Sequence, residues 1–237
     1  MANVSCIIPA YNEGERIEKV LKIALNNDLI SEIIIVNDGS TDNTKEVISN
    51  FISKNSDKSE KVNFIDLEKN SGKTNAVITG IKASSSDYLL FLDSDLIGLD
   101  NNAINNLINP VIDKQADITI SIRQNSLEIY KKMGLDFVSG ERVFHKSLFT
   151  EKDFEELLKL PGFALESYLN NIIINKKLRI KTVYWDKVIS PRKSSKYGFW
   201  AGVKGDFNMI IEIIKTIGFT TIFKQNKQML KLKVNKK

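Results

Sequence analysis

The stretch VSCIIPAYNEGERIEKVLKIALNNDLISEIIIVND, Val4 to Asp38, holds a short apolar run, an amphipathic segment and a second apolar run. Between Glu15 and Leu25 the residues Ile17, Val20, Leu21, Ala24 and Leu25 recur at helical spacing, so they share one face of a helix. "EIIIV" is almost continuously apolar, the pattern of a strand buried on both faces of a parallel sheet. The rhythm continues through TDNTKEVISNFI, KVNFIDL, GKTNAVITGIKA and DYLLFLD. Strands alternating with helices predict a doubly wound α/β unit over residues 1–98. Thr41 and Asp42 are the expected N-caps of the second helix. The polar KNSDKSEK, Lys54 to Lys61, is the expected surface loop.

Composition bounds the rest. The 237 residues are 42% hydrophobic and 27% charged, which is ordinary globular usage and excludes disordered and fibrous classes. The single cysteine, Cys6, sits in an apolar run, so no intrachain disulfide framework exists. No stretch reaches the ~18 apolar residues that span a bilayer, and the N-terminus turns polar too early for a signal peptide; a cytoplasmic protein is expected. The formal charge is +5, and after Glu212 there are seven lysines and no acidic residue. That end predicts either a solvated basic tail or peripheral contact with the inner surface of an anionic membrane. No nucleic-acid partner is expected.

Beyond Gly98 the alternation breaks. A helix is expected over Asn101 to Lys114, strands over ADITISI and RIKTVYWD, and mixed loop and helix over Ser139 to Ser167. Phe207, Ile210, Ile211, Ile214 and Ile217 predict a C-terminal amphipathic helix from Val203 to Ile217. The chain thus divides into an α/β portion (1–98), a less regular portion of the same domain (99–200) and a helical basic end (201–237).

In open parallel sheets ligands bind beyond the carboxyl ends of the strands. Three predicted strands end in polar loops, PAYNEGE, NDGSTD and DSD. On an extended segment Asp93 and Asp95 point to one side, roughly 6 to 7 Å apart, and repel by about 2.5 kcal/mol at an effective dielectric near 20. A bound Mg2+ or Mn2+, completed by substrate phosphates and water, would offset this. Turn capping or pairing with lysines is the alternative. A dinucleotide fold would need G-x-G-x-x-G where PAYNEGER stands. A P-loop would need glycine where LEKNSGKT has Leu67.

Taken together and in order, IIPAYNEGERI, IIIVNDGSTDNT, NSGKTNAVITGI and YLLFLDSD resemble the nucleotide-sugar domain of family 2 glycosyltransferases. The resemblance implies the GT-A fold, a Rossmann-like, mostly parallel sheet flanked by helices with an acceptor-side subregion, in which 1–98 would be the nucleotide-sugar-binding half and 99–200 the acceptor-binding half. It places Pro9, Ala10, Tyr11 and Glu13 beside the base and ribose, with Tyr11 able to stack. It assigns Asp38 to the base, Gly72 and Lys73 to the base or diphosphate, Asp93 to the ribose and Asp95 to the metal. Many relatives carry aspartate where this chain has Asn37.

SGERVFHKSLF, GFALESYLNNIII and VYWDKVISPRKSSKYGFWAG look like the matching parts of glucosyl-3-phosphoglycerate synthases and, less closely, of polyprenyl-phosphate sugar transferases. This implies that Gly140, Arg142 and the loop around His145 face the acceptor, and that Glu166 stands near the acceptor hydroxyl as base, with Asp136 and Asp153 as reserves. The later segment KVISPRKSS lacks the histidine that completes the metal site in the phosphoglycerate-type enzymes, so His145 or water would supply the third ligand. Arg142, Arg192, Lys193 and Lys196 are candidate clamps for a diphosphate or a phosphorylated acceptor, with a solvated surface as the alternative. The implied donor is a UDP- or GDP-hexose and the implied acceptor a small phosphorylated acid or a lipid phosphate, with homodimerisation a further expectation. A sugar-phosphate nucleotidyltransferase and a catalytically inactive nucleotide-binding protein are the alternatives.

Overall fold

The computed structural model describes residues 3–160, 165–191 and 219–234. The elements run β1 (Val4–Ala10), α1 (Ile17–Leu25), β2 (Glu32–Asp38), α2 (Thr44–Lys54), β3 (Val62–Leu67), α3 (Lys73–Ala83), β4 (Tyr88–Phe91) and α4 (Asn101–Ile112). They continue with β5 (Ile118–Arg123), α5 (Glu128–Met133), β6 (Arg142–His145), α6 (Glu151–Leu158), α7 (Leu165–Asn175), β7 (Ile180–Trp185) and α8 (Phe219–Lys231). The strands form one sheet in the order β3-β2-β1-β4-β6-β5-β7. All neighbours are parallel except that β6 runs antiparallel to both β4 and β5.

The layers follow from alternation. In β2, Ile33 and Ile35 turn to the face covered by α1, α2 and α4, while Ile34 and Val36 turn to the face covered by α3. A strand with apolar residues on both faces can lie only inside such a three-layer stack. The apolar stripe read from the sequence of α1, Ile17 to Leu25, is the face that helix buries. At Gly80 of α3 an added Cβ would lie 2.5 Å from the Ile7 side chain, so a glycine lets this helix approach the sheet.

Several local expectations change. Residues Ser56–Lys61 are not an irregular loop but an exposed 3-10 helix. The N-cap of α2 is Asn43; Asp42 still helps, because its carboxylate accepts the Thr44 amide at 3.0 Å. β6 was not expected as a strand: it is four residues long and carries Arg142 and His145, and only its position between β4 and β5 makes it one. The predicted helix Val203 to Ile217 lies outside the described residues; α8 follows it in the chain and lies against α7.

The run YLLFLDSD also departs from its predicted geometry. β4 stops at Phe91, and Ser94 and Asp95 belong to a turn. Strand alternation therefore does not relate Asp93 to Asp95. The segment after the turn is anchored instead by a bridge between Ile97 and Ile189. Gly98 permits this bridge. Its φ is +79°, and an added Cβ would sit 2.1 Å from the Lys187 carbonyl oxygen. Gly98→Ala combines a left-handed backbone penalty with that clash, so we expect a loss of about 2 kcal/mol or more in the urea unfolding free energy.

Candidate active site at the carboxyl edge of the sheet

Because β2, β1 and β4 are adjacent and parallel, their carboxyl ends bring the three polar loops together, as expected. Asn12 stitches the first two. Its backbone is left-handed, with φ of 56°, its Oδ1 accepts the Thr41 amide at 2.8 Å, and its own amide donates to Ser40 Oγ at 2.9 Å. The Glu13 amide donates to Thr44 Oγ1 at 2.8 Å. Tyr11 is left 41% exposed at the loop tip, with its ring accessible for stacking.

Asp38 is 2% exposed, and its two carboxylate oxygens accept the Ser71 and Gly72 amides at 2.8 Å each. It therefore fixes the NSGK loop, a task the sequence did not reveal. Asn37 points to the other face of β2, where its Nδ2 donates to Asp66 Oδ1 at 2.7 Å. An aspartate in this position would set two carboxylates against each other. Lys45 completes the group at 2.7 Å from Asp66. Its hydrogen bond, together with that from Asn37, holds the Asp66 carboxyl below the usual carboxylate range.

The NSGK loop launches α3 from Gly72, whose φ is +93°, and this places Lys73 in the first turn. Lys73 Nζ donates to Asp93 Oδ1 at 2.8 Å and to Glu166 Oε1 at 3.3 Å. Burial opposes its charge, but Asp93, Glu166 and Glu141 outweigh that and raise its pKa above the ordinary lysine value. Arg123 Nη1 lies 3.0 Å from Glu141 and 3.7 Å from Asp93. For Asp93, the same two cations overcome desolvation and lower its pKa; for Glu141, burial dominates and raises it. Gly140 leaves no room beside the pair: an added Cβ would be 3.0 Å from Lys73 Nζ and 3.1 Å from Asp93 Oδ1. Pro9, Lys73, Asp93, Gly140, Arg142 and Glu166 share the lining of one small cavity beneath these groups.

The structure thus brings Lys73, Asp93, Gly140 and Glu166 together and moves others away. His145 pairs in register with Tyr88, at the amino end of β4 and about 10 Å by strand rise from Phe91, where that strand ends. Its Nδ1 is hydrogen-bonded to Ser147 Oγ at 2.7 Å, so it is no ligand of the aspartates. Arg142 is fully buried. Its three nitrogens donate to the Ser139 carbonyl, Asn170 Oδ1 and the Phe137 carbonyl at 2.9, 2.7 and 3.0 Å, which makes it an internal brace rather than an acceptor clamp. Burial lowers its pKa to about 10, which leaves it charged at neutral pH. Asp136, 1% exposed, accepts from Ser126 Oγ and the Val138 amide, while Asp153 is committed to the capping box of α6 and to Tyr168. Neither is placed to act as a base. Arg192, Lys193 and Lys196 lie outside the described residues.

A metal fits this edge in one way. Among the described residues no group of three or more histidine, cysteine or acidic side chains forms a metal cage. Asp95, 8% exposed, accepts from Ser190 Oγ at 3.3 Å, and Asp93 is shared with two cations. One or two carboxylates with phosphate oxygens and water suit Mg2+ or Mn2+, so these residues fit an ion that arrives with a phosphorylated ligand. Arg123 and Glu141 were missed in the sequence. Arg123 closes β5 at the same edge as the other strand ends, and the strand-end rule alone could have flagged it; Glu141, before an unrecognised strand, left no such signal.

The Asn37–Asp66 contact yields a pH-dependent expectation. Asn37→Asp places a carboxylate against Asp66, which raises the folded-state pKa of the pair above unfolded values and destabilises the fold wherever both are ionised. We expect a loss of about 1–2 kcal/mol at pH 7 that shrinks as the pH falls toward 4, where the pair binds a proton. Urea unfolding of both proteins at the two pH values measures it; an undiminished loss at low pH would rule out charge repulsion as the cause.

The curated relatives match about two fifths of the chain. The poly-beta-1,6-N-acetyl-D-glucosamine synthase of Staphylococcus epidermidis is 43% identical over 101 residues, which is 42% of this chain and 23% of the relative; the Staphylococcus aureus enzyme is 43% identical over 99 residues. The chain therefore spans under a quarter of those proteins. Solved structures match far more of it. Glucosyl-3-phosphoglycerate synthase from Mycobacterium tuberculosis, in complex with Mn2+, UDP and phosphoglyceric acid, aligns with TM-score 0.67 and 20% identity over 95% of this chain and 78% of its own. A mannosyltransferase from Pyrobaculum calidifontis, in complex with GDP-Man and Mn2+, aligns with TM-score 0.71 and 15% identity over 97% of this chain and 69% of its own. At these identities the likeness shows a shared fold, the GT-A fold. The family model described as Glycosyl transferase family 2 matches residues 5–168. With well over half of its sequence inside that match, the chain belongs to glycosyl transferase family 2.

Proposed function

We propose that this protein is a metal-dependent glycosyltransferase that moves a hexose from a UDP- or GDP-sugar to an acceptor carrying a phosphate. The observation that carries the reading is the Lys73 bridge between Asp93 and Glu166. It links the loop that would grip the donor to the helix that would meet the acceptor. The fold likeness to structures that hold Mn2+ with UDP or GDP-mannose supports the donor class.

Each group has a task in this reading. Tyr11 stacks on the base, and the NSGK loop, pinned by Asp38, presents its backbone to the nucleotide. Asp93 accepts from the ribose while Lys73 keeps it ionised. Asp95, with Asp93 beside it and the donor's phosphates, would hold a divalent ion, which would supply positive charge to offset that of the departing nucleoside diphosphate. Fixed dipoles and charges of this kind lower a barrier because they need no reorganisation when charge develops. Glu166, at the start of α7, accepts the proton of an acceptor hydroxyl; a phosphate acceptor, already a nucleophile, needs no such base.

For the acceptor, both a small phospho-acid and a lipid phosphate suit the reading. No helix among the described residues is long and apolar enough to cross a membrane. On α8, Phe223 is 67% exposed, and Lys227 and Lys231 follow it at four-residue intervals. Such a stripe supports surface contact with an anionic bilayer. Co-sedimentation with phosphatidylglycerol vesicles, reversed by salt and lost in Phe223→Ser, is the outcome that favours a lipid-phosphate acceptor; no pelleting favours a soluble one.

Two measurements test the central reading. Calorimetry with UDP, GDP, CDP and dTDP should show one nucleotide bound in Mn2+ and released by EDTA; indifference to metal would sink metal dependence. Asp95→Ala should cut transfer or donor hydrolysis by at least about a hundredfold, with the circular dichroism spectrum unchanged. Full activity in that variant would remove Asp95 from the mechanism.

A further inference from the structure

Arg123 is the charged group of the site to which donor binding assigns no task. It ends β5, where alternation puts Ser121 and Arg123 on one face. Glu141, fully buried, fixes it. Glu141 Oε2 accepts from Ser121 Oγ at 2.7 Å and Ser139 Oγ at 2.8 Å, and its Oε1 accepts from Arg123 Nη1 at 3.0 Å. The same Nη1 lies 3.7 Å from Asp93 Oδ2. Arg123 Nε is buried without a hydrogen-bond partner among the described residues, so the guanidinium is held by its charge rather than by satisfaction of all its donors. Burial opposes that charge, and Glu141, Asp93, Asp136 and Asp95 together overcome the opposition.

A cation fixed there repels any other cation that approaches the same carboxylates, and at an interior dielectric the repulsion is far stronger than in water. Lys73, 2.8 Å from the other oxygen of Asp93, adds to it. A divalent ion thus meets, at Asp93, a carboxylate already paired with two cations. A nucleoside diphosphate supplies the missing negative charge.

We propose that Arg123, held by Glu141, is a tethered counter-ion that makes divalent-metal binding at Asp93 and Asp95 conditional on a bound nucleoside diphosphate. Arg123 is then a positioning residue that acts through Asp93. The inference rests on the transferase reading of the same site, and it concerns the order and coupling of binding rather than the chemistry.

Free Mn2+ measured by electron paramagnetic resonance tests it on the whole chain, with and without UDP or GDP. Wild type should bind Mn2+ at least about tenfold more tightly with its nucleotide than without. Arg123→Gln should tighten nucleotide-free Mn2+ binding by about tenfold and shrink the coupling correspondingly. Glu141→Gln, which leaves the guanidinium to the aspartates alone, should weaken nucleotide-free binding. A purely structural role would loosen both variants alike, so opposite signs are the signature. If Arg123→Gln fails to fold, Glu141→Gln decides: unchanged or tighter binding overturns the proposal. A folded Arg123→Gln with unchanged or weaker nucleotide-free affinity, beside intact nucleotide-dependent binding in wild type, overturns the counter-ion role and leaves the transferase reading standing. No Mn2+ binding by wild type with either nucleotide overturns both.

Discussion

The carboxylate of Asp93 stands between Lys73 and Arg123, and the arrangement of the whole edge depends on that one charge being compensated from both sides. A partly buried carboxylate is costly unless paired. Here the pairing draws on four separate elements: α3 supplies Lys73, β5 supplies Arg123, the segment before β6 supplies Glu141, and α7 supplies Glu166. These elements come together because the sheet order places their ends at one edge. Fold and site are therefore a single electrostatic arrangement, and the loss of any member leaves another charge without its partner.

β6 gives the arrangement its form. A purely parallel sheet would run β4 beside another parallel strand; instead a four-residue antiparallel strand is inserted. Reversing the chain there carries Gly140, Glu141 and Arg142 to the edge where β4 ends, since Arg142 pairs with Phe91. Each then takes a distinct role. Gly140 leaves space for the Lys73–Asp93 pair, Glu141 fixes Arg123, and Arg142 turns inward to brace the segments around Phe137, Ser139 and Asn170. Three consecutive residues at the start of β6 and just before it thus serve clearance, charge and packing.

The amino-terminal α/β portion was legible because its signals are local. Ile33 to Val36 announce a buried strand, Ile17 to Leu25 an amphipathic helix, and polar loops at the carboxyl ends of β1, β2 and β4 mark the ligand edge. Asp38 was legible as a site residue but not in what it touches, because the Ser71 and Gly72 amides lie some thirty positions away. His145 and Arg142 were misjudged for a related reason. Both belong to a strand that only its neighbours define, and its direction decides that His145 goes to the far end of β4 while Arg142 goes to the near one.

Periodicity and strand-end chemistry in the sequence by itself determined the α/β class and pointed to the strand-end edge that carries Asp93 and Asp95, since both rest on spacing within one segment; Lys73 and Glu166 became candidates through the resemblance to family 2 glycosyltransferases. Tertiary structure alone decided which charges meet. Ion pairing falls off within a few ångströms, so whether Asp93 faces a metal, a lysine or an arginine depends on how β5, β6 and α7 are brought against β4, and no local pattern encodes those distances.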